Sequence, residues 1–225
     1  MLRLTALAIA ILATSPLAQA LEPKTVDSKF RNVIILTPVD KSGELLSLKD
    51  VGMVAFFSRL AADQFAIGWR KRSGNANEFR VAPLSLIQFE SAFLTAQAKD
   101  EGLAKVYVPD PAQIPAVIGL QMQQGVKAEQ ARTSAQNQPY IFCPDPLIRI
   151  NITPAAGGTP STRVPCAFSF TSMALLINRI NQEAKTPTVL KAYSLQDMVN
   201  FLVEQSGEDA KNLVIATPIE VTNTN

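Results

Sequence analysis

Short apolar runs punctuate the chain in an order that occurs twice. Val33-Ile34-Ile35-Leu36 predicts a strand, Asp40-Lys41-Ser42-Gly43 a polar turn, and Met53-Val54-Ala55-Phe56-Phe57 a second strand. Further on, Tyr140-Ile141-Phe142-Cys143 and Cys166-Ala167-Phe168-Ser169-Phe170 predict another pair, joined by a longer loop from Thr153 to Arg163 that carries Gly157-Gly158. A helix is expected after each hairpin, with Ser58 and Thr171 as N-caps. Met173, Leu176, Ile177 and Ile180 form one helical face; Leu60, Ala61, Phe65 and Ile67 are its weaker counterpart in the first half.

The repeat is clearest downstream. Phe79 to Pro109 lies without gaps on Thr188 to Pro218, each reading strand, capped helix, strand. Ser85 with Gln88 forms a capping box, and Ser194 with Asp197 a looser one. Leu195, Met198, Val199 and Leu202 make an apolar face, and Val106-Tyr107-Val108 and Leu213-Val214-Ile215 read as closing strands. The expected fold is therefore α/β (α+β), with two pseudo-symmetric β-β-α-β-α-β halves at 30–111 and 138–219. A connecting helix at 112–137, ending in a Gln- and Ala-rich polar run, separates them, and a tail follows at 220–225.

Residues 1–20 read as a signal peptide. Arg3 precedes an apolar core, Leu4 to Ala13, and Ala18-Gln19-Ala20 supplies a small-x-small cleavage site. The core is short for a membrane span. The mature chain is expected in an exported compartment, where a disulfide between Cys143 and Cys166 becomes possible. Strand register decides between a bridge and two small buried apolar residues, and the sequence leaves both open.

Composition narrows the function. The 225 residues contain no histidine, which removes Ser-His-Asp triads, Cys-His dyads and His-based zinc sites. The carboxylates are scattered, with no paired set for a metal or a glycosidase. A net charge of +2 gives no electrostatic case for nucleic acid. Gly157-Gly158 lacks the context of a nucleotide loop, and Pro109-Asp110-Pro111 reads as a turn. No cofactor, metal or catalytic residue is expected.

Continuously apolar strands are usually covered on both faces. Each sheet here either buries its second face against the opposite half or leaves part of it as an apolar groove. Ile35, Phe57, Val81, Tyr107, Phe142, Phe168 and Tyr193 are the groove-lining candidates, and all seven are equally good core residues. Trp69-Arg70-Lys71-Arg72 reads as a helix end that complements the dipole, or as a contact with anionic lipid or an acidic partner.

The order of segments Val51-Gly52-Met53-Val54-Ala55-Phe56-Phe57-Ser58, Val81-Ala82-Pro83-Leu84-Ser85-Leu86, Tyr107-Val108-Pro109-Asp110-Pro111 and Val164-Pro165-Cys166-Ala167-Phe168-Ser169 resembles the family of the 22-kilodalton component of the chloroplast inner-envelope translocon. That family has cyanobacterial members, and the resemblance runs from about Asn32 to Pro218. The long second loop and Cys143-Pro144-Asp145-Pro146 depart from the family pattern. The resemblance implies a soluble, non-enzymatic protein with apolar pockets that binds translocating or unfolded polypeptides. It implies a partner in the outer-membrane β-barrel assembly protein, peripheral membrane contact, and a periplasmic or thylakoid-lumenal location; the bacterial-style signal disfavours the plastid intermembrane space. A structural adaptor that binds no unfolded client is the alternative.

Overall fold

The computed structural model describes residues 23–73, 79–152, 159, 161–183, 187–205 and 207–216. The expected signal peptide, the Gly157-Gly158 turn and the tail at 220–225 lie outside them. After helix α1 (Pro23–Phe30), one lobe contains β1 (Ile34–Val39), β2 (Met53–Phe56), α2 (Arg59–Ser73), β3 (Arg80–Ser85), α3 (Leu86–Gln97) and β4 (Lys105–Val108). A 3-10 turn (Pro111–Gln113), α4 (Ile114–Gln123) and α5 (Ala128–Asn137) follow. The other lobe contains β5 (Tyr140–Asp145), β6 (Ile150–Ile152), β7 (Ser161–Ala167), α6 (Phe170–Glu183), β8 (Val189–Ser194), α7 (Leu195–Glu204), α8 (Glu208–Asn212) and β9 (Leu213–Ala216).

The lobes pair their strands alike. One sheet runs β3-β1-β2-β4; in the other, β8, β5, β7 and β9 stand in the corresponding order, with β6 on the first part of β7. Leu36 faces Phe56 as Phe142 faces Ala167, and Ile34 faces Ser85 as Tyr140 faces Ser194. The parallel closing pairs match as well, Met53 with Lys105 and Val164 with Leu213.

Local chemistry sets the helix starts. The Ser85 side chain accepts from the Gln88 N–H while the Gln88 side chain accepts from the Ser85 N–H, a complete capping box. Ser194 Oγ accepts from Asp197 N–H at 3.0 Å. The Leu86 N–H then donates to Val33 O, and Leu195 N–H to Pro139 O, so α3 and α7 leave equivalent corners of their sheets. Gly52, at φ +97°, lets β2 approach β4: a Cβ there would lie 2.1 Å from Ala104 O.

Several expectations need correction. Ser169, not Thr171, caps α6: Ser172 N–H donates to Ser169 Oγ at 3.2 Å and Thr171 lies inside the helix. On α2, Leu60 and Ile67 point outward, and the buried face is Ala61, Ala62 and Ala66. The segment at 112–137 is a 3-10 turn and two helices, broken at Gly125 with φ +86°. Its polar second helix still buries Ala131 and Ala135. β7 begins at Ser161, inside the expected loop. The gapless correspondence slips by one residue at the closing strands, because β9 begins at Leu213 opposite Val164 where the repeat would put Val214.

Each sheet carries packing layers on both faces, with the outer face of edge strand β3 covered only in part. Between the sheets, one core gathers Ile35, Ala55 and Phe57 with Ile141, Cys166 and Phe168, together with α1, α3 and α7. α2 covers the outer face of the first sheet, around Leu36, Val54 and Phe56. α6 and α4 cover the outer face of the second, around Phe142, Ala167 and Ala192. Cys143 and Cys166 are directly opposed on β5 and β7, with Cα atoms 4.5 Å apart, and form a disulfide. That spacing is typical of a non-hydrogen-bonded antiparallel pair.

Candidate functional site

An apolar opening lies where α1, α3 and α7 converge. It is a cavity of about 760 Å³, lined by Val26 and Phe30 of α1, Leu86, Ile87 and Leu94 of α3, and Leu195 and Val199 of α7. Both capped helices present their first turns to it, which follows from their shared takeoff from the two sheets. Leu94 remains 61% exposed at its margin.

One wall is polar. Glu90 of α3 accepts hydrogen bonds from Lys105 Nζ at 2.6 Å and from the Tyr107 hydroxyl. Lys105 and Tyr107 are two apart on β4 and so share a face. The Lys105 ammonium also lies 4.9 Å from the Phe93 ring centre and 5.1 Å from that of Tyr107. Burial, then the Glu90 carboxylate, holds the Tyr107 phenol well above its ordinary pKa, so it stays a donor at ordinary pH. The three groups satisfy one another; Asp27, Ser91, Asn137, Gln138 and Gln196 add further polar lining, and between them lies apolar surface able to receive aliphatic or aromatic side chains.

A smaller cavity of about 290 Å³ lies over Phe57 and Phe168, rimmed by Asp110, Gln113, Gln138 and Tyr140. Its polar groups serve the fold. Asp110 caps the 3-10 turn, and Gln113 donates to Asp110 and accepts from Phe170 N–H. The Tyr140 hydroxyl binds Gln121, Ser134 and Gln138, tying α4 and α5 to β5.

The seven groove candidates divide. Ile35, Phe57, Phe142 and Phe168 are at most 4% exposed, so of the two alternatives, burial or an open groove, these positions take burial, under the opposite lobe and the covering helices. Tyr107 lines the large cavity. Tyr193 is partly buried against Phe201, and Val81 partly buried on the outer face under α2. Trp69 is packed into an aromatic cluster with Phe65 and Phe79, while Arg70, Lys71 and Arg72 are exposed at the end of α2.

Sequence reasoning missed α1, Glu90 and Lys105. The available signal was apolar Ile87 and Leu94 on α3, outside the face that Leu86, Phe89 and Phe93 bury. Among the described residues no group of three His, Cys, Asp or Glu could hold a metal ion, and no helix is long and apolar enough to cross a membrane.

No protein-family model matches the sequence, and no curated protein does. Solved structures do. Anabaena Tic22, whose structure is described under protein transport, superposes with a TM-score of 0.69 at 15% identity, covering 88% of this chain and 93% of that one. Tic22 from Plasmodium falciparum gives 0.60 at 11% identity, covering 85% and 90%. With similarity this low in sequence and this extensive in backbone, the chain shares the fold of the Tic22 proteins.

Proposed function

We propose that this chain is an exported, non-enzymatic, chaperone-like factor assisting protein translocation or outer-membrane protein biogenesis, and that it holds apolar client segments in the cavity between α1, α3 and α7. One observation carries the reading: a 760 Å³ cavity, mostly apolar, opens where the two lobes meet, with Leu94 exposed at its margin. The shared fold with a protein-transport factor supports it, as does the signal-like start of the sequence. The matching strand registers of the lobes point to an internal duplication, with the cavity at the junction of the copies. The compartment is a periplasm or thylakoid lumen, and the partners are unfolded or translocating polypeptides and the outer-membrane β-barrel assembly protein.

The test is light scattering of a denatured outer-membrane β-barrel protein diluted into buffer with equimolar chain. Wild type slows aggregation; Leu94→Asp, at an exposed site, and Val199→Trp, which fills the cavity, reduce that protection at least threefold. Equal protection by all three, or none by wild type, removes the reading. The sealing of Phe57 and Phe142 favours a second one, a structural adaptor, which a pull-down would reveal as one stable partner not displaced by denatured competitors.

A further inference from the structure

The lobes treat one surface differently. On the second, α4 lies against the outer face of edge strand β8, packing Ile114, Val117 and Ile118 on Leu190 and Ala192, and Ala192 is only 7% exposed. The matching residues of β3 follow from register. Pro83 faces Leu36 as Ala192 faces Phe142, and Val81 faces Pro38 as Leu190 faces Pro144. Among the described elements, β3 is packed by α2 and α3 as β8 is by α6 and α7, but nothing takes the place of α4. Pro83 is accordingly exposed and Val81 only partly buried.

Two properties of this face identify what fits it. Its register positions match those which, on β8 of the same molecule, receive a helix with apolar residues at i, i+3 and i+4. Beside this face, the last turn of α2 carries Arg70, Lys71 and Arg72 with no acidic residue on that turn, and Arg72 lies 6.0 Å from the Trp69 ring centre. A bare strand edge would invite another strand, but β3 discourages that. Pro83 has no N–H, and the Ser85 N–H is committed to Gln88.

We propose that the outer face of β3, beside the basic end of α2, docks an amphipathic helix of a partner protein that carries acidic residues beside an α4-like apolar stripe. The helix occupies on the first lobe the position that α4 fills on the second. This is independent of client binding in the cavity, which lies on the other side of the sheet.

The chain has one tryptophan, Trp69, and it borders the face. Its emission therefore reports occupancy here and not in the cavity. The probe is an 18-residue tryptophan-free peptide with the Ile-x-x-Val-Ile spacing of 114–118 and flanking glutamates. Titration into the mature chain is expected to shift the emission saturably, with a Kd of roughly 10–100 µM. Arg70→Glu with Arg72→Glu, and separately Pro83→Asp, weaken binding at least tenfold; all three sites are exposed. A lysine-flanked peptide binds at least tenfold more weakly than the glutamate one. No shift at 1 mM peptide, a shift indifferent to the charge reversal, or a shift with phosphatidylglycerol vesicles but not with peptide overturns the proposal.

Discussion

Phe57 and Phe168, residues that hold equivalent places in the two lobes, lie against each other with ring centres 5.1 Å apart. Phe57 follows β2 and Phe168 follows β7, whose ends correspond through Phe56 opposite Leu36 and Ala167 opposite Phe142. The contact lies in the core between the two sheets, so this pair marks where the lobes are joined. Both rings are buried, and Tyr107 meets Phe57 edge-on at 5.9 Å.

Truncating either ring will therefore loosen the junction. Phe57→Ala or Phe168→Ala is expected to cost about 3–5 kcal/mol. The double variant should cost less than their sum by about 1 kcal/mol, the coupling of a direct aromatic pair. Urea unfolding of the four proteins gives the cycle; additive costs would mean that the rings act separately.

The disulfide joins neighbouring strands across a 23-residue separation. Replacing both cysteines by alanine should destabilise by about 3 kcal/mol in the chain-entropy account. The urea midpoint of the double variant measures this, and reduction of wild type by dithiothreitol after unfolding should give the same loss.

Gly52 tests the backbone contact between β2 and β4. Gly52→Ala forces a methyl onto Ala104 O and a side chain at φ +97°. A loss of at least about 2 kcal/mol in thermal or urea unfolding is expected.

Ser85 and Ser194 make the same cap with different completeness. Ser85→Ala and Ser194→Ala should each cost about 1 kcal/mol. Gln88→Ala should add a further loss in the first lobe, since its side chain returns a hydrogen bond to Ser85 N–H.

Tyr107 gives a pH signature. Its phenol is raised from the ordinary value of 10.0 in the fold, by burial and then by Glu90. The folded state therefore holds this proton more tightly than the unfolded state. The resulting stability is fully present below pH 10.0 and is lost as pH climbs above it towards the folded value. Urea midpoints of wild type should fall more steeply than those of Tyr107→Phe between about pH 9.5 and 11.5, because the variant has no phenol to ionise.

The chain's alternation of apolar runs, turn residues and caps determined most elements. Periodicity and capping are local properties, which is why Ser85 and Ser194 mark the starts of α3 and α7. The twofold order of elements was legible for the same reason. Boundaries set by pairing were not. β7 extends back to Ser161 because β6 pairs with its first residues, and Gly125 divides what reads as one connecting helix.

Only the tertiary structure decided the site. An apolar strand residue looks the same whether a foreign segment or the other half of the chain lies against it, and packing gave Ile35, Phe57, Phe142 and Phe168 to the core. The cavity instead arises between three helices that begin at residues 23, 86 and 195, a meeting that no local pattern encodes. Glu90 and Lys105 became partners only when β4 closed beside β2. The disulfide required the one register that sets Cys143 opposite Cys166, because a bridge depends on distance across a sheet and spacing along a chain does not fix that distance.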